Sequence, residues 1–134
     1  MWYKDEANGS ATYASDSVDL YHWQKARPVL THQGHEGPNV YKFKGSYWMI
    51  IDEWKGQGVY RSMDLEHWER NGMILDISGS RQDDGGIGHH ADVVITGEEA
   101  FAFYFTHPGR AALQEGGERT MNTAVRPFKS FDWM

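Results

Sequence analysis

The 134-residue chain has no cysteine, which excludes both a disulfide framework and a thiolate metal site. Proline is scarce, at 4 residues. No apolar run approaches the length that crosses a bilayer as a helix. Positive charge is also short: 13 Lys and Arg stand against 19 Asp and Glu, a net charge of −6. That balance removes the basic face a nucleic-acid binder presents. The opening MWYKDEANGS is polar and lacks the apolar core of a secretory signal. The expectation is a soluble, cytoplasmic protein with neither membrane nor nucleic acid as partner. Aromatic residues, in contrast, are plentiful at 14%, and there are 15 glycines. Such a chain can build a packed core, with many turns and few long helices.

Strand patterns dominate. YKFKGSYWMIID (41–52) reads as two strands around a turn at Lys44-Gly45, with Tyr41, Phe43, Tyr47, Met49 and Ile51 alternating. ADVVITGEEAFAFYFTH (91–107) has the same outline, with a turn at Gly97-Glu98-Glu99 and Phe101, Phe103 and Phe105 in alternation. The chain also repeats itself. SVDLYHW (17–23) matches SMDLEHW (62–68) at an offset of 45. Residues 35–51 overlay 89–105 at an offset of 54, which puts His35 on His89 and Glu36 on His90. SFDW (130–133) reads as a decayed third copy of the first motif.

Repeats of this length holding about four strands each are the mark of β-propeller blades. The expected fold is therefore all-β, with four-stranded antiparallel blades. Residues 1–33 would form the outer part of one blade, 34–80 a full blade, and 81–134 a full or nearly full one. An ordinary β-sandwich with chance similarity is the competing architecture. A ring usually needs about 4–8 blades. Roughly two and a half cannot close one, and each blade must pack on a neighbour. An incomplete five-bladed propeller, completed by a second copy of the chain, follows from that arithmetic.

In a propeller, residues just ahead of each innermost strand gather at the mouth of a central channel. Glu36 and His90 take that place in adjacent blades, with His35 and His89 beside them. Asp92 lies on an inner strand, where a carboxylate would need a partner. His107 ends a strand near the same mouth. Trp54 and Trp2 could stack on sugar faces. Asp52 and Glu53 close a strand at a loop, either as solvated charges or as site groups. Asp83-Asp84-Gly85-Gly86 reads as a polar turn. The repeated Asp-Leu-x-His-Trp segments read as scaffold, with each Asp bonding turn amides and Trp23 and Trp68 wedged between blades.

The run EGPNVYKFKGSYWMIIDEW resembles the segment around the general acid of glycoside hydrolase family 43 and its five-bladed propeller relatives. GIGHHADVVITGEEAFAFYFTH is similar to the Gly-His segment of a later blade in those enzymes. SDSVDLYHW and YRSMDLEHW resemble their blade closures. The likeness covers most of residues 13–107. It implies an inverting glycosidase acting on a pentose-containing carbohydrate, with Glu36 as the catalytic acid. Substrate contacts would come from His35, His90, Asp92, His107 and Trp54. His89 would be the ligand if a calcium ion is held. No match to the family's catalytic base is found, and that absence keeps a non-catalytic sugar-binding or assembly module open as the alternative.

Sedimentation or light scattering of the purified chain tests the closure argument. The expected mass is twice that of one chain; a monomer that unfolds cooperatively contradicts it.

Overall fold

The computed structural model describes residues 1–80 and 84–107 in full, and the strand 122–128 by its backbone. The described residues form strands β1 (Trp2–Asp5), β2 (Ala11–Ala14), β3 (Arg27–Leu30), β4 (Glu36–Phe43), β5 (Ser46–Asp52), β6 (Gln57–Ser62), β7 (Glu69–Ile74), β8 (His89–Thr96), β9 (Glu99–Thr106) and β10 (Asn122–Phe128). One short 3-10 turn lies at Glu6–Asn8, and the described residues contain no α-helix. None of them is therefore in a helix long and apolar enough to cross a membrane.

The strands make three antiparallel sheets: β1-β2-β3, β4-β5-β6-β7 and β8-β9-β10. The all-β, propeller-type arrangement expected from the repeats is the one found, as an incomplete ring. The middle sheet is packed on both faces. Strand side chains alternate between faces, so Trp48 and Ile50 of β5 join Phe43, Val59, Ile74, Ala91, Ala100 and Tyr104 against the third sheet. Met49 and Ile51 join Leu30 and Tyr60 against the first. Met49, Ile50 and Ile51 are all fully buried, so this strand reads as an unbroken apolar run rather than an alternating one.

In β9 the outcome differs from the expectation. The buried positions are Ala100, Ala102, Tyr104 and Thr106, while Phe103 is 37% exposed and Phe101 and Phe105 are only half-buried. The small alanines let the third sheet approach the bulky Trp48 and Phe43 of the second. The phenylalanines face away from that seam.

The pairing registers also correct the internal overlay. Phe43 pairs with Ser46 across Lys44-Gly45, and Thr96 pairs with Glu99 across Gly97-Glu98. The true structural offset is thus 53, one residue less than the sequence overlay. Both turns are two-residue hairpin connections of the primed kind, with φ of 47° and 80° at Lys44 and Gly45 and 60° at Gly97. A slip of one residue exchanges the two faces of a strand. Glu36 is therefore equivalent to His89, and Gly37 to His90.

Both inner strands carry a β-bulge just after that position, between Glu36 and Asn39 in β4 and between His89 and Asp92 in β8. Gly37 (φ 59°) and His90 (φ 38°) take the left-handed conformation there. At Gly37 this costs nothing, and the missing Cβ also leaves room for His90, whose Nδ1 would lie 3.0 Å from it.

The repeated turns behave as scaffold. Asp19 Oδ1 accepts from the amides of Tyr21 and His22, and Asp64 Oδ1 accepts from those of Glu66 and His67. Each Oδ2 lies 2.7 Å from the Nδ1 of the following histidine. Those amide bonds come first among the effects that hold both aspartates well below the usual carboxylate range. Trp68 packs against the Leu30, Met49, Ile51 and Tyr60 cluster, as a wedge should. Trp23 does not: it is 41% exposed, with its indole on the Leu20 carbonyl. The SFDW stretch lies outside the described residues.

A Cβ at Gly58 would collide with the buried Glu53 carboxylate. Gly58→Ala should lower the stability measured by urea unfolding by about 1–3 kcal/mol; a change under half a kcal/mol would show that Glu53 is free to move.

Candidate active site

β4 and β8 run side by side as the inner strands of neighbouring sheets, and Asn39 Nδ2 donates to Asp92 Oδ1 across them at 2.6 Å. The bulge at Gly37-Pro38 follows the first residue of β4, Glu36, which stays paired with Asp52 and faces the start of β8. Glu36 consequently meets three donors. Its Oε1 accepts from the Trp54 indole at 3.0 Å and lies 3.0 Å from His90 Nε2. Its Oε2 accepts from Lys4 Nζ at 3.3 Å. The side chain is 27% exposed, so the cluster opens to solvent on one side. Burial pushes the Glu36 pKa up, but the bonds from Trp54, His90 and Lys4 outweigh it and hold the group below its ordinary value. Glu36 is a carboxylate in this state.

Trp54 lies in the loop after β5 with φ of 59°, 42% exposed, with Lys4 Nζ 5.9 Å from its ring centre and Gly34 against its edge. Beneath the cluster sits Asp52, paired in register with Glu36 and fully buried. Asp52 Oδ1 accepts from the Trp54 amide at 2.7 Å; Oδ2 lies 3.1 Å from the His90 amide and 3.1 Å from His89 Nδ1. Burial raises its pKa; these three donors more than compensate and leave it lowered. Glu53, its neighbour, is likewise no solvated loop charge. Its side chain is fully enclosed, accepting from Tyr60 at 2.9 Å and Arg70 at 3.0 Å. Burial lifts the Glu53 pKa and those bonds bring it down again, below the ordinary value. Burial, seconded by Glu53, pushes the Tyr60 hydroxyl up to about 12.

Of the residues singled out from sequence, Glu36, His90 and Trp54 come together. His89 stands beside them on Asp52, with its ring on Phe105 at 5.5 Å and near His107 at 5.3 Å. Asp92 is exposed rather than buried, facing the inner-strand surface with Asn39 and its neighbour's amide on Oδ1. Asp84 is buried under the Tyr104 hydroxyl at 3.0 Å, away from Glu36, and Asp83 lies outside the described residues. Trp2 is half-buried and packs against the cluster between the first and second sheets.

His35 is a correction. It is fully buried between the first two sheets, with Nε2 2.6 Å from the Thr12 hydroxyl. Burial pushes its pKa down and keeps the ring neutral. It holds the sheets together and touches no open space a substrate could enter. Lys4 went unnoticed in the sequence, because a lone lysine on a short strand 32 residues from Glu36 gives no signal. Asp52 did carry one: a carboxylate ending the run Trp48–Ile51, buried on both faces, has to be satisfied internally.

A calcium ion does not fit these groups. Glu36, Asp52 and His90 can each bring one ligand atom within 4.8 Å of the others. Calcium takes six to eight oxygens, whereas among the described residues this set has two carboxylates and an imidazole, and both Asp52 oxygens already face N–H donors. His89 is not in the set, and its Nδ1 is turned to Asp52.

No protein-family model matches the sequence, and no curated protein does either. Solved structures do match the fold. A structure described as a glycoside hydrolase superposes with a TM-score of 0.64 at 18% identity, covering 90% of this chain and 36% of that one. A thermostable family 43 glycoside hydrolase gives 0.60 at 16%, covering 100% and 55%. A family 32 β-fructofuranosidase from Bombyx mori gives 0.56 at 21%, covering 87% and 27%. Identities this low establish the fold, that of the glycoside hydrolase propellers. The chain spans between 27% and 55% of the length of these three proteins.

Asp52 and Glu53 both sit below the ordinary carboxylate range in the fold. Each therefore contributes stability that is complete above its unfolded value, about 4, and is lost as pH falls through the lower folded value. Urea midpoints should be level above about pH 5 and decline below about pH 4. Glu53→Gln should be less stable at pH 7 and lose less on acidification. A midpoint that rises as pH falls from 5 to 3 contradicts this.

Proposed function

We propose that this chain is part of a propeller glycosidase and that carbohydrate is its substrate class. The observation that carries the reading is the placement of Glu36. It heads an inner strand, is paired with Asp52 just ahead of the bulge at Gly37-Pro38, and is partly exposed where the neighbouring sheet contributes His90. In this reading Glu36 protonates the leaving oxygen of a glycoside, and Trp54 and His90 hold both it and the sugar. Asp92 and His107 line the approach. The finer assignment is inverting hydrolysis of a pentose-containing carbohydrate.

A general acid must carry a proton before it can give one. In the resting chain Lys4, Trp54 and His90 hold Glu36 charged. A sugar that displaces the Lys4 ammonium removes a donor to the carboxylate and raises its proton affinity. His90, 3.0 Å away, is the adjacent proton carrier.

Inversion also needs a base carboxylate roughly 6.5–9.5 Å from the acid. Asp52 is unsuited, because its ligand atom lies within 4.8 Å of that of Glu36 and it is fully buried. The base is therefore assigned to a part of the ring outside these three sheets, contributed by a second copy or another segment. The three sheets then correspond to blades at 1–33, 34–80 and 81–134. The same observation favours a second reading, a non-catalytic sugar-binding or assembly module whose Glu36 serves only as an acceptor.

Hydrolysis of a panel of aryl α-arabinofuranosides and β-xylosides by wild type and Glu36→Gln separates the two. The enzyme reading expects turnover that falls at least a hundredfold in Glu36→Gln. No turnover by either protein, with sugar binding retained, supports the module. Equal turnover by both removes Glu36 from the chemistry.

A further inference from the structure

Two non-glycine residues near the site, Trp54 (φ 59°) and His90 (φ 38°), adopt the left-handed backbone conformation. For residues with a bulky side chain this is strained, by roughly 1–3 kcal/mol each, and persists only where surrounding structure enforces it. Trp54 lies in the loop after β5 and His90 on β8 of the neighbouring sheet, 36 positions apart. Yet their backbone amides donate to the two oxygens of one carboxylate, Asp52, at 2.7 and 3.1 Å. Their side chains then converge on one oxygen of another, Glu36 Oε1, at 3.0 Å each. Asp52 also lies 3.1 Å from His89 Nδ1, in the inner-strand position equivalent to Glu36. A carboxylate can only accept, so the proton of a neutral His89 must reside on Nδ1, which leaves Nε2 with a lone pair. His89 is half-buried, and no described residue bonds its Nε2.

We propose that Asp52 is the positioning residue of this site. One buried carboxylate clamps the two strained amides that aim Trp54 and His90 at Glu36, and selects the His89 tautomer whose Nε2 can accept a proton or a sugar hydroxyl. It acts through its neighbours and touches no substrate. The role of that Nε2 rests on the carbohydrate reading above; the clamp and the tautomer do not.

Asp52→Asn tests the assignment, since an amide keeps the shape of the carboxylate but replaces one acceptor with a donor. The first measurement is on wild type: long-range nitrogen–proton NMR of the imidazoles above about pH 8, with His89 assigned by comparison with His89→Gln. The proposal expects His89 as the Nδ1–H tautomer. In folded Asp52→Asn the proton should move to Nε2, and the Trp54 indole signal should shift toward its position in Glu36→Gln. If Asp52→Asn does not fold, the wild-type tautomer and indole shift still decide. A wild-type His89 protonated on Nε2, or exchanging between tautomers as in a free peptide, overturns the proposal. So does a folded Asp52→Asn in which neither signal moves, because a purely structural carboxylate would change stability alone. Where wild type hydrolyses a glycoside, Asp52→Asn should lower kcat about a hundredfold with KM little changed. Absence of turnover in wild type defeats the enzyme reading and leaves the tautomer result to judge the clamp.

Discussion

Everything else in this structure depends on the burial of β5 on both faces. Trp48 and Ile50 are pressed against the third sheet, Met49 and Ile51 against the first, so three sheets are fixed by one seven-residue strand. Full burial of a large aliphatic side chain stabilises by about 1.5–3 kcal/mol. Three such residues in succession make this strand the least adjustable part of the chain. Its last residue, Asp52, is carried into the same dry environment. A carboxylate there must be satisfied by donors, and those found belong to Trp54, His89 and His90. The packing of the core thus determines where the polar site assembles.

The site itself is a consequence of repetition with unequal residues. Both inner strands bulge at the same register position, just after a first residue that faces the neighbouring sheet. Had both copies kept the same residue, the result would be a scaffold feature like the twin Asp-Leu-x-His-Trp turns, whose hydrogen bonds match almost one for one. Instead glutamate stands in one copy and histidine in the other. Gly37 accepts the left-handed bulge conformation without strain, while His90 takes it under the hold of Asp52.

How much of this could be read from sequence varied with the range of the interaction. Strand order, hairpin turns and the repeated turn motif were legible because they depend on alternation, glycine and residues a few positions apart. The approach of Glu36 and His90 was legible because the repeat implied it, although the overlay was out by one residue; only the pairing across the two hairpin turns reveals that Glu36 corresponds to His89. The phenylalanines of β9 misled because size suggests core, whereas the seam with Trp48 has room only for alanine. His35 misled because it lies just ahead of β4, where its ring turns between the first two sheets to Thr12 while Glu36 faces His90. Lys4 had no local signature at all, since its contact depends on how the first sheet docks on the second.

The central claim is that side chains from adjacent sheets meet on the carboxylate of Glu36 and hold it charged. A carbon-detected NMR titration of that carboxyl group tests it most directly. The account predicts a midpoint below the ordinary glutamate value of about 4.3, rising toward that value when His90 is replaced by glutamine. A midpoint at or above the ordinary value in the wild-type chain, unchanged by His90→Gln, would contradict it.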